Sequence, residues 1–330
     1  MNKFLYTITL LVCVATPGPG QSAREAVLQK LQYTLSPPPD LLAARSVALY
    51  DYRYTQEELN NIQATFQLTG IDPVVYFESD QVFAGVDASR AFLKYLLSRE
   101  IRYLIFLEKD GDYRFVVTPF NQQSTWVDVG QAAWEKRSGD LSETMSEVYR
   151  VAANSQKRLN LLIADEPETG IAVNPIAGQR GEYFAVDLRI DNLVIVRSGD
   201  KVLDDSLQQF FQKHYPFKYQ FAEAGSDERE LRRQGNLYIL CWMHCRGKSA
   251  KELLGYDLSK AESVYTSVTY PLGSGLQLRT LSADQVIYKF YFRHLENGRV
   301  LLGTKWDADT SPMAALRNHI EGLKTELKLR

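Results

Sequence analysis

The chain has 330 residues, with 38 lysines and arginines against 40 aspartates and glutamates and a formal charge of −2. The two signs are interspersed, so no basic stripe exists to neutralise a phosphate backbone or an anionic lipid surface, and nucleic acid is not an expected partner. Nineteen tyrosines and fifteen phenylalanines, mostly in strand-like runs, argue for a packed core and against disorder.

The first residues read Met1-Asn2-Lys3, then an apolar run over 4–14 broken only by Thr7 and Thr9, then Pro17-Gly18-Pro19-Gly20. A positive start, a short apolar stretch and a helix-breaking small-residue segment are the features of an export signal. The run is too short to span a bilayer, which takes about 20 apolar residues, so no stable membrane insertion is expected once it is removed. Cleavage is expected between Gly20 and Gln21, with Ala23 a second site. Cys13 is a poor lipid acceptor, because bulky Val12 stands where a small residue is required. The mature protein is therefore expected in the periplasm or the medium.

Thereafter strand-like and helix-like patterns alternate. Residues 24–32 read as a short amphipathic helix ended by Pro37-Pro38-Pro39. Residues 46–50 read as a strand, and 55–68, with Leu59, Ile62 and Phe66 three and four apart, as a helix ending near Gly70. Strands are expected at 74–77 and 103–107, a helix at 88–99, and a hairpin turn at 109–112 into a strand over 113–117. A helix at 142–154 and a strand at 159–163 complete this half.

In the second half, strands are expected at 192–196, 217–221 and 237–243, and helices at 205–214 and 227–233. Three antiparallel strands follow at 263–270, 286–294 and 299–303, the last two joined through Asn297-Gly298. A closing helix from Pro312 carries Leu316, Ile320, Leu323 and Leu327 on one stripe. The fold class expected is α/β, with two similar lobes at 21–165 and 181–330, each a mixed, largely parallel sheet with helices packed on it. The order repeats as a pattern and not letter by letter, which suggests divergent duplication. The Pro- and Gly-rich stretch 166–180 is the expected connection, and a single continuous sheet is the alternative.

Cys241 and Cys245 lie in a continuous apolar strand. Four residues of strand separate their Cα atoms by about 13 Å, too far for a disulfide. They are expected as buried free thiols.

The chemical motifs mostly argue against themselves. Gly247-Lys248-Ser249 follows a strand but lacks the earlier glycine of a phosphate loop; Trp242 stands there. Asp307-Ala308-Asp309 resembles the opening of haloacid-dehalogenase-type phosphatases, yet too little chain follows to supply the other groups of such a site. Asp307 or Asp309 is expected to cap the last helix instead. No Gly-x-Ser-x-Gly elbow exists, and Gly273-Ser274-Gly275 reads as a hairpin tip. His214, His244, His294 and His319 are scattered, with no metal-ligand spacing. The acids Asp165, Glu166 and Glu168 follow a strand end, where a carboxylate hydrolase could place its pair, but no partner is identifiable. No catalytic residue, metal or cofactor is assigned.

Residues 286–309, with 238–245 and the closing helix, resemble uncharacterised exported proteins of the Bacteroidota, a group that includes accessory subunits of the type 9 secretion machinery. That resemblance implies an accessory or binding role beside another envelope protein. The alternatives are a small-ligand receptor with its site between the lobes, and a hydrolase using Asp165, Glu166, Asp307 or Asp309. The residues expected at a binding surface are Lys305, Trp306, Asp307 and Asp309, a polar and aromatic cluster at a strand-to-helix junction. Expression with its own N-terminus in a bacterial host should give a mature chain beginning at Gln21 by mass spectrometry; a chain retaining Met1 would contradict the export reading.

Overall fold

In a computed structural model, the structure describes residues 23–155, 159–160, 166–176, 180–259 and 262–329. The first lobe comprises α1 (Ala23–Leu28), β1 (Leu31–Thr34), β2 (Arg45–Tyr50), α2 (Gln56–Thr69), β3 (Asp72–Glu78), α3 (Ser79–Val82), α4 (Val86–Ser98), β4 (Tyr103–Asp110), β5 (Asp112–Pro119), β6 (Gln131–Ser138) and α5 (Leu141–Ser155). The second comprises β7 (Arg180–Gly181), β8 (Leu193–Val196), α6 (Lys201–His214), β9 (Tyr219–Ala222), α7 (Glu228–Arg233), β10 (Tyr238–Arg246), α8 (Gly247–Leu253), β11 (Val264–Thr269), β12 (Gln277–Ser282), β13 (Val286–His294), β14 (Val300–Leu301) and α9 (Pro312–Glu326).

Local chemistry sets the helix ends. Thr55 and Glu58 form a reciprocal capping box at the start of α2, and Gly70, in the left-handed region at φ 88°, closes it. The side chain of Asp200 accepts two amides at the start of α6, so that helix begins four residues earlier than its apolar stripe suggests. Ser311 caps α9, with Pro312 in its first turn.

The strands form two six-stranded sheets, β1-β6-β5-β4-β2-β3 and β7-β14-β13-β10-β8-β9. The single continuous sheet is thereby replaced by two. Position for position the orders are the same, and so is every pairing sense: β2 is parallel to β3 and β4, β8 to β9 and β10, while β4-β5-β6 and β10-β13-β14 are antiparallel. Even the outer pairs β1-β6 and β14-β7 are both parallel.

The repeat extends to single residues. The helices α2 and α6 each have 14 residues, and buried Ile62 and Phe66 have buried Leu207 and Phe211 at the same places. α4 and α7 end alike: Ile101 N donates to Leu96 O and Asn236 N to Leu231 O, across positive-φ residues Glu100 and Gly235. α5 and α9 have 15 residues each. The α8, β11, β12 stretch is an insertion with no counterpart in the first lobe; β11 and β12 form a separate antiparallel hairpin around the tip expected at Gly273-Ser274-Gly275.

Four strands have no range in the sequence pattern, β12 (Gln277–Ser282) among them. β1 lies where a longer first helix is expected, β6 has no predicted counterpart, and β7 has two residues. Of the expected strand at 159–163, residues 159–160 are not strand and the rest lie outside the described residues.

Each sheet carries its own helices on one face. Ala48, Ile105 and Phe115 pack with α2 and α5, and Ile195, Leu240 and Phe290 with α6 and α9. The opposite faces share one core, to which α1, α3, α4 and α8 contribute together with Leu49, Phe106, Met243 and Tyr291. The layers therefore run helix, sheet, helix, sheet, helix.

The segment between β3 and α4 wedges into the second lobe. β8 pairs with Tyr238 and Ile239 of β10, and among the described residues no strand pairs with the rest of that edge. There Ala84 O accepts the amide of His244 at 2.7 Å. A Cβ on Gly85 would stand 2.5 Å from Trp242 O, so only glycine allows this approach. Asp87 accepts from Tyr291 Oη at 2.8 Å and Arg293 Nε at 3.1 Å, and buried Arg246 pairs with Glu78 and Asp80. Gly85→Ala should lower the unfolding free energy by about 1–3 kcal/mol in urea titration; an unchanged midpoint would show that these backbones do not touch.

Candidate functional site

The four residues singled out by sequence sit in a second departure from the repeat. On β5, Tyr113 and Val117 face Ser138 and Trp134 of β6. The equivalent Tyr288 and Phe292 of β13 face Asp309 and Leu301. One span of central strand is thus matched by Trp134 to Ser138 in the first lobe and by Leu301 to Asp309 in the second, a path four residues longer. The chain leaves the sheet after β14 and returns at Asp309.

Inside this excursion Asp307 is buried between Lys289 and His319. Lys289 Nζ, fully buried, donates to it at 2.6 Å and to Leu302 O at 3.1 Å, and His319 Nδ1 lies 2.8 Å away. Burial alone would raise the carboxyl's pKa, but Lys289 and His319 together hold it below the usual range. Burial also lowers the pKa of His319 against the opposing pull of Asp307. Its Nε2 has no partner among the described residues; the ring packs between Phe184 and Phe292, with centroids 5.1 and 4.9 Å away. In the first lobe the places of Lys289 and His319 hold Arg114 and Val148.

The other residues of the cluster part company. Asp309, also buried, pairs with Arg279 at 3.1 Å and accepts the amide of Ser311, one residue before α9. Trp306 is buried against Tyr256 and Tyr265, with Lys251 Nζ 5.3 Å from its ring. Lys305 faces solvent. A small cavity of about 80 Å³ opens beside Asp307, between Phe184, Val268, Gly303 and Asn318.

A larger concavity, not flagged by any motif, lies at the lobe boundary. Two adjoining spaces of about 540 and 580 Å³ share Tyr50, Tyr76, Phe77 and Ile171. They open at the carboxyl ends of β2 and β3, where α/β sheets commonly place ligands. The first lobe supplies Tyr50, Tyr76 and Glu78; α8 supplies Lys248 and Glu252; residues 166–171 close one side. Tyr76 Oη donates to Gln63 at 2.7 Å, and Gln81 crosses the boundary to Glu252 at 2.9 Å. Burial, with Glu78 and Glu252 nearby, pushes the Tyr50 hydroxyl up to about 12, and burial also raises Glu78 against the opposing charge of Arg246. The signal that could have marked this place is positional: Tyr50 and Glu78 end neighbouring parallel strands.

The remaining motifs resolve structurally. Gly247 N and Lys248 N donate to Gln285 O and Ala283 O, so they are spent within the fold and cannot cradle a phosphate. Cys241 and Cys245 are free, and burial raises both thiols. His244 stacks on Tyr288 at 4.0 Å, His214 on Phe210, and His294 Nδ1 accepts the amide of Glu296. Among the described residues no three His, Cys, Asp or Glu side chains converge to hold a metal ion. Glu166 is exposed, Glu168 binds Tyr95 and Arg99, and Asp165 lies outside the described residues.

No family model and no curated protein matches the chain.

A buried ion group of this kind is costly to break and often neutral to replace whole. Lys289→Met should destabilise the protein by about 3–5 kcal/mol in urea unfolding, because it strips Asp307 of its main counter-ion. Adding Asp307→Leu and His319→Val, the latter copying the first lobe, should recover most of that loss; failure to recover would mean the charges themselves hold this part of the fold.

Proposed function

We propose that this is an exported, non-catalytic binding protein of the cell envelope whose ligand is a small polar molecule seated between the lobes. The observation that carries the reading is that the boundary cleft is built jointly, by the strand ends of the first lobe and by α8, part of the second lobe's insertion. Each of its two adjoining spaces, about 540 and 580 Å³, falls within the range of about 300–1,000 Å³ typical of small-molecule sites. Tyrosine hydroxyls, two carboxylates and Lys248 provide several donors and acceptors on an aromatic floor. The shared core between the sheets makes this a preformed cleft, with no hinge required for closure.

A hydrolytic role for Asp307 and Asp309 has weaker support, since each carboxylate is already engaged by a cation.

A second reading, docking of an envelope protein, draws on the inserted hairpin. Leu272 and Leu278 are 73% and 68% exposed on an element that the first lobe lacks. This agrees with the resemblance to exported Bacteroidota proteins that include secretion accessories. No described helix is long and apolar enough to cross a membrane.

Thermal-shift screening with metabolites separates the two. A ligand at 100 times its Kd should add about 2.7 kcal/mol to the stability, and the shift should vanish in Lys248→Ala/Glu252→Ala. If no compound shifts the melting temperature while Leu272→Ser/Leu278→Ser abolishes recovery of an envelope partner, the docking reading replaces the first.

A further inference from the structure

The duplication exposes a difference between the two sheet edges. In the first lobe the outer edge of β3 is occupied by the chain itself: Glu168 N donates to Val74 O at 2.7 Å, and Glu168 bridges Val75 in the parallel sense. The carboxylate of this strap is held by α4, through Tyr95 Oη at 2.7 Å and Arg99 at 2.9 Å. In the second lobe β9 is the equivalent edge, and no described residue pairs with its outer side.

Register shows which groups are open. Leu193 N donates to Lys218 O and Arg197 N to Ala222 O, so residues 218, 220 and 222 face β8. By the alternation of a strand, the amides and carbonyls of Tyr219 and Phe221 face outward. Tyr219 is the structural equivalent of Val74, whose carbonyl receives the strap.

The helix that reads the strap's side chain has changed. The shared C-terminal turns of α4 and α7 align Leu96 with Leu231, and so Tyr95 with Glu230 and Arg99 with Gln234. A phenol and a guanidinium that hold a carboxylate are replaced by a carboxylate and an amide. Glu230 is exposed, and its counter-ion Arg233, at 3.3 Å, is more exposed still, so this pair is weakly held.

We propose that the outer edge of β9 takes an extended segment of a partner protein, added as a parallel strand with a lysine or arginine where the strap has Glu168. Main-chain bonds to Tyr219 and Phe221 give the docking, and Glu230 with Gln234 gives the charge preference, as in other strand-addition complexes. The open backbone edge makes this a template for a strand, and its brevity keeps the affinity of a free peptide low.

The test supplies the strand at high effective concentration. The sequence of residues 166–171, with lysine replacing Glu168, is fused after Arg330 of the full chain through a flexible linker, and compared with the same fusion retaining glutamate. Hydrogen exchange resolved by NMR should show the Tyr219 and Phe221 amides slowed at least tenfold in the lysine fusion and less in the glutamate fusion. In Glu230→Tyr/Gln234→Arg, which restores the first lobe's reader on exposed positions, the preference should invert. If neither fusion protects these amides, or if the double variant leaves the preference unchanged, the proposal fails.

Discussion

The structure depends on one backbone contact between the lobes. β10 is nine residues long, but β8 covers only its first two on that side, so its remaining edge would be buried without partners. The first lobe fills the gap by presenting the carbonyl of Ala84 and the bare Cα of Gly85. Flanking charges fix the wedge: Asp80 and Glu78 on Arg246, Asp87 on Arg293 and Tyr291. Separating the lobes would leave both buried amides and buried charges unpaired, and each of these is costly. The cleft follows from this contact, because the wedge begins at Glu78, the residue that ends β3 and lines the cleft.

Two equivalent lobes joined this way also show where the second has been altered. The scaffold agrees in sheet order, in the lengths of α2 and α6 and of α5 and α9, and in the turns that close α4 and α7, although α7 has 6 residues against 13 in α4. The departures are the α8 to β12 insertion, the longer path between Leu301 and Asp309, and the exchange of Val148 for His319 within otherwise equivalent helices. Packing alone does not call for a lysine, an aspartate and a histidine where the other lobe keeps an apolar helix face. The excursion creates the gap in the sheet through which Asp307 reaches Lys289 on the strand and His319 on the helix.

Much of the architecture was legible in the sequence because both sheets are half-parallel and covered by helices, so periods of two and of three to four alternate cleanly. Helices α2, α4, α5 and α9 and strands β2, β4, β8, β10 and β13 were readable for that reason. β6 was not: Ala132, Ala133 and Trp134 run into Glu135, Lys136 and Arg137, whose charges are paired on a part-exposed face. β1 buries only Leu31 and gives no alternation to read. At the site, residues 305–309 stood out by composition, but the burial of Asp307 and Asp309 did not, since their counter-ions come from β12, β13 and α9. The available signal was Lys289, a lysine alone within the apolar run of β13, and His319 on the apolar stripe of α9. The cleft has no motif at all, because strand ends and a strap create it only after the sheets have formed.

The wedge makes the two lobes one folding unit with a rigid cleft between them. Native-state hydrogen exchange under increasing denaturant tests it directly, by comparing the opening free energies of β2 and β4 with those of β10 and β13. One common value for all four strands, including the amide of His244, is the predicted result. Separate values for the two sheets, with the His244 amide opening ahead of both, would contradict it.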